Sequence, residues 1–179
     1  MEARKPNVLL QYGLISGLVS ILFLVILYLG GTKLFTNPIA FLGYALPIVF
    51  AVLACVKQKK LNGGYLEFKE ALKISFGVLV ISSLAATLLT YVLFNFIDTA
   101  FRESMVQVSI EMTQKFMQKF NAPQDAIDKA VQELTTSNPY ALGKLIFQFV
   151  LACILWFIFA LIISAIVKKK RPEFPEATV

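Results

Sequence analysis

Apolar residues fall in four long blocks along this chain, and polar residues gather between them. Val8 to Leu29 carries no charge over 22 residues, enough at about 1.5 Å per residue to cross a hydrocarbon core of roughly 30 Å. Pro38–Val56, Ile74–Ile97 and Leu145–Val167 repeat that character. The pattern predicts an all-α polytopic membrane protein with four transmembrane helices, at about 8–29, 38–56, 74–97 and 145–167. They form a single membrane domain over 1–179, with an outer helical segment at about 99–136 and a cytoplasmic tail at 168–179.

Local chemistry marks the ends of these blocks. Gly30-Gly31 stops the first, because glycine tolerates the left-handed backbone that ends helices. Arg4-Lys5 ahead of it resembles the basic start of a signal peptide. The apolar stretch exceeds a signal core, however, and lacks a small-residue cleavage site, which favours a retained anchor. Asn37-Pro38 opens the second span as cap and first helical residue, and Pro47 inside it predicts a kink. Asn138-Pro139 repeats the Asn-Pro entrance before the fourth span, and Val52-Leu-Ala-Cys55 recurs as Val150-Leu-Ala-Cys153. These echoes fit either a duplicated helical hairpin or coincidence among apolar residues.

Between the third and fourth spans the period changes. Phe101, Met105, Val108, Met112, Phe116 and Phe120 recur three or four apart with charged residues on the other faces, which predicts an amphipathic helix. It either continues the third span or bends away near Asn95 to Asp98. Asn121 and Gln124, spaced as a capping box around Pro123, predict a second, shorter helix bearing Ile127, Val131 and Leu134. The two would form an extracytoplasmic amphipathic hairpin, serving as a packed cap or as an interaction surface carried by Phe101, Met105, Met112 and Phe116.

Charge then sets orientation. Of the 17 Lys and Arg residues, Arg4, Lys5, Lys57, Lys59, Lys60, Lys69, Lys73, Lys168, Lys169, Lys170 and Arg171 fall on one side. Lys33, Arg102, Lys115, Lys119, Lys129 and Lys144 fall on the other. Basic residues favour the cytoplasmic face, so both termini are expected there, in a bacterial inner membrane. Lys57, Lys59, Lys60, Lys168, Lys169, Lys170 and Arg171 are the candidate contacts to lipid headgroups. In the loop between spans two and three, Asn62-Gly63-Gly64 provides a tight reversal, Tyr65 an interfacial ring, and Glu67 and Glu70 favourable charges at a helix start.

That loop also carries a resemblance. Gly63-Gly64-Tyr-Leu-Glu-Phe-Lys-Glu-Ala-Leu-Lys73, leading from the second loop into the third span of a small four-span protein, resembles the bacterial integral membrane family called domain of unknown function forty-one ninety-nine. The likeness covers nearly the whole chain in hydropathy plan, and its one specific motif runs from Gly64 to Lys69. It implies a bacterial inner-membrane setting and brings no activity or catalytic residue with it.

Composition narrows the chemistry. Hydrophobic residues make up 58% and charged residues 16% of the chain, with a mean hydropathy of +0.72, well outside soluble usage. A net charge of +6 is explained by the basic flanks of spans, without the aromatic interleaving of a nucleic-acid surface. There is no histidine, and Cys55 and Cys153 stand singly in apolar runs, so no metal site, cofactor or disulfide framework is expected. The span cores hold no Asp, Glu, Lys, Arg or His, which disfavours proton-coupled transport.

Small and hydroxyl residues remain as the candidate seams between helices. Gly13 and Gly17 form one small-xxx-small pair, and Ser82, Ala86 and Thr90 form another ridge. Asp98 and Lys144, near the outer span ends, are candidates to pair. With no nucleotide, metalloprotease or nucleophile motif in the chain, an enzyme is not expected. The expected role is structural or interactive, with the bilayer and a second copy or another membrane protein as partners. The alternative is a passive carrier or channel for a small neutral or apolar solute.

Overall fold

The computed structural model describes residues 7–170. The expectations for Arg4, Lys5, Arg171 and the tail beyond it lie outside the described residues. Among the described residues, seven α-helices carry the fold: α1 Val8–Leu29, α2 Gly31–Phe35, α3 Leu42–Leu61, α4 Phe68–Val92, α5 Thr99–Lys119, α6 Gln124–Thr136 and α7 Leu142–Val167. A 3-10 turn, Pro38–Phe41, leads into α3, and a π turn, Leu93–Ile97, extends α4. Among the described residues, four segments are long and apolar enough to cross a membrane: Val8–Leu29, Pro38–Leu61, Phe68–Ile97 and Leu142–Val167.

The first span matches the expected bounds, and the others are longer. α3 runs on to Leu61 through Lys57, Lys59 and Lys60, and α4 already begins at Phe68. Backbone hydrogen bonding ignores the hydropathy of a side chain. What ends α3 is the Gly63-Gly64 pair, with φ of +70° and +92°, whereas Asn62 keeps a negative φ as the C-cap. Gly31, at φ +71°, makes the corresponding break after α1.

α4 is the central element of the bundle. It packs along α1, α3 and α7, while α3 also lies against α1 and α7. Along the α1–α4 seam the backbones come close. A Cβ on Gly13 would lie 2.8 Å from the Ile81 side chain, and one on Gly17 3.2 Å from Ala85 Cβ. The core built around α4 gathers Ala51, Ala54 and Cys55 of α3, Ala71, Ile74, Val78 and Leu79 of α4, and Trp156, Ala160 and Ile163 of α7. Most of these residues belong to the half of the bundle where α1 begins and α7 ends, called here the terminal end. The outward faces, such as Leu14, Leu18 and Leu22 of α1, stay exposed and apolar, as a lipid-facing surface requires.

At the far end α4 gives way to the π turn, and Asp98 then breaks the helix with φ −140° and caps α5 by accepting a 2.8 Å hydrogen bond from the Phe101 amide. The open choice between one long helix and a bend is resolved as a bend. α5 and α6 then pack against each other. The expected Asn121–Gln124 capping box does not form. Asn121 instead takes a left-handed backbone at φ +53°, following the Phe120 C-cap of α5, and Gln124 Nε2 donates to Asp128.

Candidate functional site

Three regions bring polar groups together within or beside this bundle. The first is the α1–α4 seam. Ser16 Oγ donates to Ser82 Oγ at 3.0 Å, and Ser20 Oγ lies 2.8 Å from the same oxygen. All three serines are buried. Gly13 and Gly17 admit Ile81 and Ala85, and that approach lets the hydroxyls meet. Of the other ridge residues, Thr90 bonds back to the Ala86 carbonyl at 2.8 Å, which satisfies it within its own helix. A matching seam joins α4 to α7, where Ser75 Oγ is 3.2 Å from Ser164 Oγ. Ser75 was not singled out by sequence; it lies i−7 from Ser82, on the same face.

A cavity of about 420 Å³ occupies the far half of the bundle. Ser20, Phe23 and Leu27 of α1, Tyr44 and Pro47 of α3, Ser82, Ser83 and Ala86 of α4, and Trp156 of α7 form its walls. Met105, Val108, Ser109 and Met112 of α5 line it as well, so half of the amphipathic stripe faces inward over the bundle. Phe101 packs on Tyr28, Phe35 and Phe94 with ring centroids 5.0–5.7 Å apart. Met105 is buried. Neither is therefore a free outer surface. Met112, Phe116 and Phe120 remain 56%, 64% and 68% exposed.

Polar bonds fasten the rim of the far end. Tyr28 donates its hydroxyl proton to Asp98 Oδ2 at 2.8 Å. The Phe101 amide, followed by the Tyr28 hydroxyl, holds the Asp98 carboxyl below the usual carboxylate range. Asp98 therefore does not pair with Lys144, whose ammonium donates to Ser137 and lies 4.0 Å from Glu133. The π turn presents Asn95, which donates to the Tyr140 carbonyl at 2.9 Å and accepts from Asn138 at 3.1 Å.

Both Asn-Pro steps make the same turn. Asn37 Oδ1 accepts from Ile39 N and Asn138 Oδ1 from Tyr140 N, at 3.0 and 2.9 Å. Each asparagine carbonyl also accepts from the amide three residues on. The second turn does not cap a helix directly, since α7 starts at Leu142 with Ala141 as its N-cap.

The third region is at the terminal end. Leu66 and Lys169 exchange two backbone hydrogen bonds, at 2.9 and 2.8 Å, in an isolated antiparallel bridge. Lys59 Nζ donates to the Val167 carbonyl at 2.8 Å, satisfying one of the acceptors left at a helix C-terminus. Lys168 and Lys169 lie over the Phe68 and Tyr65 rings, 5.8 and 5.6 Å from their centroids. Lys57, Lys60 and Lys170 are exposed. The lysines thus divide between a latch that ties the end of α7 to the α3–α4 loop and a free basic fringe. Glu70 is engaged too, accepting from Gln58 at 2.9 Å and from Asn62 at 2.9 and 3.1 Å. It steadies the turn that Gly63 and Gly64 create.

No signal in hydropathy could have found the latch, because it joins residues more than a hundred positions apart. No curated protein and no solved structure matches this chain significantly. The model of the family described as protein of unknown function DUF4199 matches residues 11–169, which takes in the four spans except the first turn of α1, together with the cavity and the latch. The chain belongs to the DUF4199 family.

Proposed function

We propose that this protein is a structural or interaction component of the bacterial inner membrane, oriented with both termini in the cytoplasm and with α5 and α6 on the outer side. The observation that carries this reading is the division of the α5 stripe. Phe101 and Met105 anchor the helix to the bundle, while Phe116 and Phe120 continue the same face without cover. A stripe anchored at one end and open at the other suits association with a second copy or another membrane complex. The basic fringe of Lys57, Lys60 and Lys170 supports the orientation, as cytoplasmic flanks carry such residues. This reading assigns no catalytic residue and no cofactor.

A photoreactive residue at Phe116, activated in native membranes, is the test. A discrete protein adduct supports the reading, and its mass separates a second copy from a different partner. Adducts to lipid alone would remove it. The cavity favours a second reading, passive carriage of a small neutral or apolar solute, because its lining residues carry no charge. Flux through reconstituted vesicles measures that directly, and no change on adding the protein would discard it.

A further inference from the structure

We propose that the cavity beneath α5 binds one uncharged, mainly hydrocarbon molecule bearing a hydrogen-bond acceptor, the chemistry of a neutral carbonyl lipid such as a fatty ester. It shares its cavity with the carrier reading above but does not depend on transport or on a protein partner.

Size and polarity are the first argument. About 420 Å³ falls within the range of pockets that take small organic ligands, roughly 300–1,000 Å³. The lining is dominated by apolar and aromatic side chains, and none of its residues is charged. A carboxylate, phosphate or ammonium would enter without a counter-charge, at a heavy desolvation cost. The exposed rings of Phe41 and Tyr44 stand at its edge, where they offer an apolar approach.

Hydrogen-bond bookkeeping gives the second argument. The three hydroxyls of Ser16, Ser20 and Ser82 make two mutual bonds. Each hydroxyl owns one proton. Ser16 donates to Ser82, and one further proton joins Ser82 and Ser20. Whichever of these two donates, the other keeps a proton with no described acceptor; Ser82 is fully buried, so the hydroxyl at the cavity wall is that of Ser20, left free when Ser82 donates to it. Trp156 adds a second donor. It is only 7% exposed and lines the cavity, and its Nε1 has no acceptor among the described residues. Buried donors left unmatched are rare and unfavourable, above all where no bulk water can reach them. Among the buried side chains the surplus is of donors, so the partner they lack is an acceptor. A carbonyl or ester oxygen on an apolar chain supplies it and fills the space together.

Trp156 is the single tryptophan of the chain, which turns the cavity wall into its own reporter. The full-length protein, held in nanodiscs of unbrominated phosphatidylcholine, would be titrated with methyl dibromostearate while tryptophan emission is followed. Bromine quenches only at short range. The expected result is saturable quenching, reversed by excess unbrominated methyl oleate. Ser20→Ala, which removes the hydroxyl at the cavity wall, should shift half-saturation upward by roughly threefold or more, the worth of one hydrogen bond, and Ala86→Leu should abolish the saturable phase by filling the space. Quenching that rises linearly and resists competition would show simple partition into the bilayer and overturn the proposal. Equal, competable quenching by a dibrominated phosphatidylcholine would overturn it in favour of an ordinary phospholipid tail. Should either variant fail to purify as a monodisperse species, the competition by methyl oleate on the unmodified chain decides alone.

Discussion

At the scale of single residues, small size and buried hydroxyls set how closely the spans approach. Gly17→Leu would force α1 away from Ala85 and pull Ser16 and Ser20 off Ser82. Overpacking of this kind costs about 1–3 kcal/mol, and the unfolding midpoint in detergent should fall accordingly. Ser82→Ala removes the shared oxygen and should cost about 1 kcal/mol, within the modest range measured for hydrogen bonds between membrane helices. Asp98 behaves differently because its partners prefer the ionised form. Its carboxyl is depressed below the ordinary carboxylate value, so its contribution to stability is complete above the unfolded value of about 3.9 and is lost as pH falls through the lower folded value. Asp98→Asn should therefore flatten the acid limb of a stability profile taken from about pH 5 to pH 2. An unchanged acid limb would show that Tyr28 and Phe101 do not favour the charged carboxylate. Gly13, Gly17 and Ser82 were readable as seam residues from their spacing. The pairing of Asp98 was not, because spacing names neighbours along a helix and says nothing of a tyrosine on another one.

At the scale of elements, helix bounds follow caps and breaks more closely than they follow hydropathy. The first span ends where the apolar block ends because Gly30-Gly31 stands there. α3 outruns its block by a full turn because Lys57 to Leu61 are good helix formers and the stop comes only at Gly63-Gly64. Replacing both glycines by alanine places L side chains in left-handed backbone, at about 1–2 kcal/mol each. The turn feeds Leu66 into the bridge with Lys169, so the change should also loosen α7. Amide exchange at Leu66 and Lys169 is the sensitive measurement. Both amides should be protected in the parent chain and should exchange faster in the double variant. Equal protection in the two would mean that the bridge holds without the turn. The amphipathic period of α5 was evident from the six apolar positions. Its division into a covered and an open half was not, since a periodic stripe does not reveal what will cover it, and here α2 and the π turn cover only the first two turns.

At the scale of the whole molecule, four apolar blocks were enough to give the four helices long and apolar enough to cross a membrane. They could not give the lateral arrangement, with α4 in contact with the other three spans, because the chain order of helices does not determine which of them touch. Threading makes one prediction that is independent of any ligand. Single cysteines placed at Gly63 and at Lys119, in a background lacking Cys55 and Cys153, should react with an impermeant maleimide from opposite faces of the membrane. On the orientation proposed above, the position at Gly63 should become accessible only after the membrane is opened. Labelling of both from one face would break the four-span arrangement.

The uneven filling of the bundle has a mechanical consequence. Its terminal half is close-packed around alanine, valine and leucine, and its far half surrounds a void under α5. Close-packed interiors resist compression, whereas voids yield. Lateral squeeze from a bilayer depends on the shapes of the lipids in each leaflet, so the two leaflets act on unequal springs. Crowding on the side of α5 should narrow the hollow and expel or retain whatever lies in it, and the same force on the opposite side meets a solid stump.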